Sequence, residues 1–580
     1  MLIAIQTIKF IISILPKKYH LRLLGVGVLL MLNSVLELLG LGAVLPVFSV
    51  LLEDNVVEKY AWANWMYSTF NLTDERQLII ILACALFIII LLKNLISLVI
   101  AKVNSTFALG LFKDFAVRLH KHYYREGFSY FKTTNSNIVV RNLRVATSQF
   151  AKFQVLGTLN LLNEFVVLTL IVIFIAIYNF KILILLAITV VPPFLVFYRW
   201  VRIKAIEMGE LTNKLDPILG KNLFQSIFGY VDVVIMGAEK HFRKNIKSNL
   251  DDLVDIDIKK TIFNLAPTKV VESSLMLAIA VIISFGIYYL PSKTDLIKLL
   301  GLFAVAGYRI MPSINRMMVA INGMNTSRWI FAILEPLKYD RNEMASAQEK
   351  EISFHKEIKL DDISFSYPNQ PKEIFSNFNL TINKGEVIGL VGPSGAGKTT
   401  LMNILLGFLK PTAGSYLIDD VVLDDTQKKA FYKKVGYVQQ QVYLIDATIA
   451  ENVAFGSSPK EIDYEKLEFV LKKANLWEMI KVLPETYHEL IGENGTKLSG
   501  GQRQRVGIAR ALYFDSEILF FDEATSSLDS ETEKEITSAI NDISDGNLTI
   551  IIIAHRMTTL EHCDRIIEIN NSNIVAYDNY

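Results

Sequence analysis

Gly392-Pro393-Ser394-Gly395-Ala396-Gly397-Lys398-Thr399-Thr400 fits the pattern G-x-x-x-x-G-K-[ST] and lies between an apolar run, Val387 to Val391, and a helix-like run, Leu401 to Leu406. That is the strand, loop, helix setting of a phosphate-binding loop. The glycines let backbone N–H groups turn toward phosphate oxygens, and Lys398 reaches the β- and γ-phosphates. The Thr399 hydroxyl can ligate Mg²⁺ at a helix N-terminus that favours anions. The chain is therefore expected to bind ATP or GTP through residues 392 to 400.

Working outward, 580 residues are too many for one core and imply two large domains. The 52% hydrophobic content is concentrated in the first part of the chain, where long uncharged runs recur. The remainder reads as a soluble α/β domain, with residues 1–340, 341–353 and 354–580 as membrane domain, linker and nucleotide domain. Lys plus Arg total 59 against 58 Asp plus Glu, so no net field draws nucleic acid. The two cysteines, Cys84 and Cys563, exclude a disulfide framework. Met1 to Tyr19 has no small-residue cleavage site and mixes apolar with polar residues, which reads as an interfacial amphipathic helix and not a removable signal.

A bilayer crossing needs about 20 mostly apolar helical residues. Six stretches qualify: Leu23 to Leu52, Leu78 to Val99, Leu161 to Tyr178, Ile182 to Tyr198, Ser273 to Leu290 and Leu299 to Ile321. The long segments after the second and fourth carry excess Lys and Arg, such as Lys113, Arg118, Lys121 and Arg125, which places them in the cytoplasm by the positive-inside rule. Both termini then lie in the cytoplasm and the chain is a multi-pass protein of the cytoplasmic membrane. The first outer connection, Glu53 to Arg76, holds Tyr60, Trp62, Trp65, Met66, Tyr67 and Phe70 and suggests a short helix at the outer interface. Within the spans stand Glu37, Lys93, Arg309 and Arg316, with Lys269 near the inner mouth of the fifth. Each charge facing lipid costs roughly 2.5 to 3.5 kcal/mol. Several cations against one acid imply a water-filled cavity suited to an anionic substrate.

Downstream of the phosphate loop come Val438-Gln439-Gln440-Gln441, Leu498-Ser499-Gly500-Gly501-Gln502, Ile518 to Phe521 followed by Asp522-Glu523, Ser526 to Asp529, and Ile551 to Ala554 followed by His555. Ile518 to Phe521 reads as a buried strand ending in carboxylates. Asp522 can hold Mg²⁺ and Glu523 can polarise the water that attacks the γ-phosphate. Ser499 and its glycines open a helix, a second anion-binding terminus. In order and spacing the set resembles an ATP-binding cassette (ABC) transporter over the whole chain: a six-helix transmembrane domain of exporter type fused to one α/β nucleotide-binding domain.

That resemblance implies ATP with Mg²⁺ as cofactors and a homodimer in which Ser499, Gly500, Gly501 and Gln502 close on the partner's nucleotide, with Asp529 also among the nucleotide-binding residues. It also implies that Tyr367 stacks on adenine, that Gln440 contacts Mg²⁺ and the attacking water, and that His555 contacts the γ-phosphate. Coupling helices are expected near Phe128 to Asn137 and Asn222 to Tyr230. Gly307 to Arg316, Lys93 and the aromatic outer loop look like the bacterial flippases of lipid-linked oligosaccharides, which implies Lys93, Arg309 and Arg316, with Lys269, as contacts for a polyprenyl-pyrophosphate substrate. Those flippases have an arginine in the fifth span where this chain has Thr268 beside Lys269. The alternatives are an exporter of amphipathic drugs or of lipid A and, in another class, a nucleotide-gated channel.

Overall fold

The computed structural model describes residues 2–43, 46–47, 50, 56–72, 75–178, 180–289, 293–341, 350–367, 373–523, 548–554, 560–570 and 573–578. It divides into two units, Met1–Met344 and Ala345–Tyr580.

The first unit is helical: α1 (Leu2–Ile14), α2 (His20–Gly42), α3 (Ala61–Thr69), α4 (Glu75–Thr133), α5 (Leu156–Tyr178), α6 (Phe180–Phe228), α7 (Tyr230–Ile235), α8 (Glu239–Tyr289) and α9 (Lys293–Thr326). The six expected crossings fall on α2, α4, α5, α6, α8 and α9. Among the described residues, the helices Lys17–Gly40, Arg76–Thr133, Ser136–Ile177 and Glu239–Ser284 are long and apolar enough to cross a membrane. Part of the first crossing and Leu290 of the fifth lie outside the described residues, as do some side chains of the third to sixth. Leu24, Phe87, Leu98 and Val196 are exposed on these helices, the inside-out distribution that a lipid solvent favours. At about 1.5 Å per residue the 59 residues of α4 run roughly 88 Å, so most of the helix extends beyond a ~30 Å hydrocarbon core.

Helix breaks fall close to the expected coupling segments. Gly127 leaves helical geometry inside α4 at φ 76°, and after Thr133 the Asn135 side chain accepts from Asn137 N at 2.9 Å to start the next helix. The second expected segment, Asn222 to Tyr230, is instead mostly the end of α6. The short helix there is α7, entered after Gly229. The outer aromatic stretch forms α3 as expected, with Ala63 buried and Trp65 exposed.

The N-terminal helix departs from expectation. Ile11, Ile14 and Leu15 of this segment are buried in one cluster with Phe115, Phe150 and Leu334, and the Thr7 hydroxyl donates to Gln154 Oε1 at 3.2 Å. One face of α1 is therefore solvated by protein and not by headgroups, because its apolar residues find partners on α4 and the segment before α5. Arg118 fixes the exit, donating to Ile14 O at 2.6 Å and Leu337 O at 2.8 Å. Elsewhere α6 and α9 cross at Gly209, where a Cβ would sit 2.2 Å from the Thr326 carbonyl oxygen. Only glycine permits that approach.

In the second unit, β1 (Glu357–Phe365), β2 (Phe375–Asn383), β4 (Ala413–Ile418) and β5 (Val421–Val422) form an antiparallel sheet of order β2-β1-β4-β5. β4 and β5 are a hairpin in which Ile418 pairs Val421. Its two loop residues, Asp419 and Asp420, have φ of 47° and 65°, as the right-handed twist of a two-residue turn requires. The larger sheet has the order β10-β9-β3-β8-β7-β6, from β3 (Val387–Val391), β6 (Val435–Val438), β7 (Ile518–Asp522), β8 (Thr549–Ile553), β9 (Arg565–Asn570) and β10 (Asn573–Asp578). The pairs β3·β8, β8·β7, β7·β6 and β3·β9 are parallel. Ile518 to Phe521 and Thr549 to Ile553 are buried throughout, the continuous apolar runs of strands covered on both faces. Ile352 and Phe354 are also buried, so packed structure reaches back into the stretch expected to be linker.

Candidate functional site

Because β3, β8, β7 and β6 run parallel, their carboxyl ends share one edge of the sheet, where open α/β sheets bind ligands. Four of the sequence motifs leave from that edge: the phosphate loop after β3, Asp522-Glu523 at the end of β7, Gln439 to Gln441 after β6, and Ala554 after β8. His555 lies outside the described residues, as do Ser526 to Asp529.

The phosphate loop takes its shape from its glycines. Gly392, Gly395 and Gly397 have φ of 145°, 83° and 105°. A Cβ at Gly392 would also lie 2.3 Å from the Ile569 carbonyl oxygen of β9, so a side chain there is excluded twice. Gly397 is the N-cap of α10 (Lys398–Leu405). Lys398 is buried, and its Nζ donates to Gly392 O at 2.7 Å and Pro393 O at 3.1 Å, lying across its own loop. Thr399 is exposed on the first turn. Tyr367, expected against adenine, sits edge-on to Phe365 with its hydroxyl 3.3 Å from Thr400 Oγ1, which fixes it beside the loop.

Asp522 and Glu523 are set apart by their surroundings. Burial holds the Asp522 carboxyl above its ordinary value, the Tyr437 hydroxyl donating at 3.2 Å works against that, and neighbouring Glu523 adds to it. Glu523 has turned out of the strand at φ 48°, with its N–H on Ile553 O at 3.0 Å. Its carboxylate accepts from Gln440 Nε2 at 2.8 Å. Of the three adjacent glutamines it is Gln440 that reaches this acid. A non-glycine residue at positive φ is uncommon and marks a constrained site.

Sequence reasoning missed the support behind Gln440. In α11 (Gly500–Tyr513), Gln504 Nε2 donates to Gln440 O at 2.6 Å. Arg510, whose guanidinium burial lowers to about 10, donates to Tyr443 O and Asn452 O at 2.9 and 2.8 Å. The Gln440 loop is thus tied to the helix that Ser499 begins. Ser499 and Gln502 form a reciprocal capping box, Ser499 N donating to Gln502 Oε1 at 2.8 Å and Gln502 N to Ser499 Oγ at 3.2 Å. Gly500 and Gly501 follow in the first turn. Both polar residues are visible in the sequence, but their spacing announces a helix start and not its partner.

No group of three His, Cys, Asp or Glu gathers as a metal centre among the described residues. Mg²⁺ suits such a place, because it keeps waters and takes one or two protein oxygens beside nucleotide phosphates. Asp522, half-buried with its charge disfavoured, close in sequence to Glu523 and at the same sheet edge as Thr399 and Gln440, has the chemistry to hold such a cation.

The membrane-side residues are placed differently from expectation. Lys93 Nζ lies 2.9 Å from Glu37 Oε2, with side chains 14% and 15% exposed. Arg316 holds Glu164 through Nε at 2.6 Å and Nη2 at 3.1 Å, and Glu164 is 6% exposed. Lys269 pairs Glu272 at 3.0 Å on an exposed helix face. Thr268 Oγ1 donates to Asn315 Oδ1 at 2.7 Å. Several cations do not stand against one acid: Glu164, inside the third crossing, is a second, and Lys93 and Arg316 are each paired with a carboxylate. The Arg309 side chain lies outside the described residues.

Residues 375–526 match the model of the ABC transporter family. The chain is 32% identical over 374 residues to an ATP-dependent lipid A-core flippase of Paraburkholderia xenovorans (strain LB400), covering 63% of this chain and 60% of that protein. It is 41% identical over 220 residues to the flippase of the same description in Burkholderia pseudomallei (strain 1710b), covering 38% and 36%. The counterpart in Pseudoalteromonas translucida (strain TAC 125) is 33% identical over 377 residues, 63% and 62%. The chain thus spans from about a third to about three fifths of the length of these relatives. The structure of a bacterial Atm1-family ABC exporter with ATP bound superposes with a TM-score of 0.76 at 21% identity, over 97% of this chain and 95% of that one, which shows the exporter fold. These matches support the ABC half-transporter that the motifs resemble, with lipid flippases among its relatives.

Proposed function

We propose that this chain, an ABC half-transporter of exporter fold, works as a homodimeric ATP-driven flippase for an amphipathic lipid with an anionic, sugar-bearing head. The observation that carries the reading is the 2.8 Å bond between Gln440 and Glu523 at the sheet edge that also carries the phosphate loop. It supports Glu523 as general base and Gln440 as the amide that orients the water attacking a γ-phosphate. Lys398 and the loop N–H groups bind the β- and γ-phosphates, Thr399, Asp522 and Gln440 hold Mg²⁺, and Ser499 to Gln502 and Asp529 complete the partner's site. Mg²⁺, when bound, draws charge from the phosphate oxygens. His555 contacts the γ-phosphate and Tyr367 the adenine. Closure of two cassettes on ATP turns the membrane helices outward, and hydrolysis resets them.

Two cargoes fit that description. A polyprenyl-pyrophosphate oligosaccharide is favoured by the cations at bilayer depth, Lys93, Arg309 and Arg316. A lipid A-core molecule is favoured by the relatives. A multidrug exporter has no such support. The test is ATP hydrolysis by the reconstituted dimer in liposomes carrying either lipid. Selective stimulation identifies the cargo, and stimulation by neither, with hydrolysis intact, refutes the flippase reading.

A further inference from the structure

Arg199 and Arg202 stand on α6 beside an open groove of about 620 Å³ that Tyr198, Ile203 and Ile206 also line. Both side chains are exposed, and among the described residues neither has a hydrogen-bond or ion-pair partner. They differ in this from Lys93, Lys269 and Arg316, each held by a carboxylate, and from their neighbour Lys204, 2.7 Å from Glu207. Three residues apart on a helix, the two arginines share a face, about 4.5 Å apart along its axis. Like charges so placed repel, and an anion between them replaces that repulsion with charge-assisted bonds.

The same face continues toward the start of α6 as Ile184, Ile188, Val191 and Leu195, all exposed. Steps of three and four residues keep this apolar stripe in line with Arg199 and Arg202. From Ile184 to Leu195 it runs 11 residues, about 17 Å, close to the ~15 Å of hydrocarbon in one leaflet. Arg199 and Arg202 are 19 and 22 residues from Phe180, about 29 and 33 Å, where a ~30 Å core gives way to headgroups. In the proposed topology that boundary is the cytoplasmic one. An apolar track one leaflet long that ends in two guanidinium forks has the outline of a lipid with a phosphate head, since the fork matches phosphate oxygens. No amide or carboxylate lines the groove to take sugar hydroxyls, which favours a phospholipid over a glycolipid head.

We propose that this face of α6 binds an anionic phospholipid of the inner leaflet, its phosphate at Arg199 and Arg202 and its chains along Ile184 to Leu195. The lipid is a resident of the crossing and not cargo, so the proposal stands or falls apart from the flippase reading. Full-length protein in a neutral detergent is titrated with phosphatidylglycerol, with phosphatidylcholine of the same chains and with lipid A, and the first bound lipid is followed by native mass spectrometry. Phosphatidylglycerol is expected to bind about tenfold tighter than phosphatidylcholine, because each basic side chain at an anionic headgroup contributes severalfold. Changing Arg199→Gln and Arg202→Gln together brings that ratio close to one, whereas Lys204→Gln, which removes a charge from the opposite face of α6, leaves it. Both arginines are exposed, so the variants are expected to fold, with unaltered basal ATP hydrolysis as the check. A ratio of one in the unaltered protein overturns the proposal, as does a ratio that persists in the double variant or falls as far in Lys204→Gln. Loss of lipid A binding in the double variant, with the phosphatidylglycerol ratio unchanged, assigns the arginines to cargo and overturns it too.

Discussion

The pair Glu164 and Arg316 allows a test of whether cations in the spans serve structure or cargo. The carboxylate is 6% exposed and held at 2.6 and 3.1 Å by two guanidinium nitrogens, while Arg316 itself is 46% exposed. The partners are thus unequally dependent on each other. Arg316→Gln leaves an anion buried between helices, which costs about 3 kcal/mol. Glu164→Gln leaves an arginine that already reaches solvent, at a cost of about 1 kcal/mol or less. Changing both removes the uncompensated charge, so the double variant is more stable than Arg316→Gln alone, with a coupling energy of about 2 kcal/mol. Thermal unfolding of the purified full chain in one detergent gives the order, and lipid-stimulated hydrolysis is read on the same samples. If Arg316 contacts cargo phosphate, stimulation stays lost in the double variant although stability returns. Equal destabilisation by the two single changes, or no recovery in the double, would refute the asymmetry drawn from burial.

Glu523→Gln is expected to lower ATP turnover by at least about 100-fold, the worth of a positioned base, while nucleotide binding persists; ordinary turnover would remove its assigned role. Gln440→Ala is expected to slow hydrolysis about tenfold, with the same change at Gln439 or Gln441 close to neutral, since it is Gln440 that donates to Glu523. Gly392→Ala forces a Cβ onto the Ile569 carbonyl at 2.3 Å and is expected to abolish nucleotide binding, measured with a fluorescent ATP analogue. Asp419 is held below its ordinary value although burial opposes this, because Glu357, His355 and Lys356 N–H groups donate to it at 3.0, 2.5 and 2.8 Å. A depressed native pKa means that its contribution is present above the unfolded value and lost as pH falls through the native one. Asp419→Asn should therefore cost about 1 kcal/mol at neutral pH and nothing once the pH lies below that native value, read by denaturant unfolding.

Legibility in the sequence followed how local the determining physics was. The phosphate loop, the helix start at Ser499 and the strand ending in Asp522-Glu523 are each fixed by a few neighbouring residues, so glycine spacing, a serine before two glycines and an apolar run located them. The four helices that are long and apolar enough to cross a membrane among the described residues were equally legible, being set by length and composition. What depended on distant partners was not. Glu164 follows Leu161, Leu162 and Asn163 at the start of an apolar run, and nothing nearby announces Arg316, 152 residues on. The burial of α1 escaped for the same reason: its apolar face reads alike whether lipid or Phe115 and Phe150 cover it. Gln504 and Arg510 looked like the polar face of a helix, and only the turn from Gln440 to Tyr443 gives them carbonyls to hold.

The pairing of Lys93 and Arg316 changes how a charged lipid head would pass. A cation kept without a partner at bilayer depth would have to be paid for throughout the cycle, whereas Lys93 with Glu37 and Arg316 with Glu164 rest neutral. Lys93 is 18 residues along α4 and Arg316 is 23 along α9, about 27 and 34 Å from the starts of those helices, so in the proposed topology both pairs would lie toward the cytoplasmic side. An arriving phosphate oxygen would exchange with a carboxylate already there. Such an exchange trades one ion pair for another, so its net cost is small and it reverses readily. A site that releases its cargo each cycle needs that balance, and a cluster of bare cations would hold the head too tightly to let it leave. If the proposed flippase reading holds, Glu37 and Glu164 would belong to the transport path together with their basic partners. Glu37→Gln should then raise affinity for the anionic lipid while slowing its turnover.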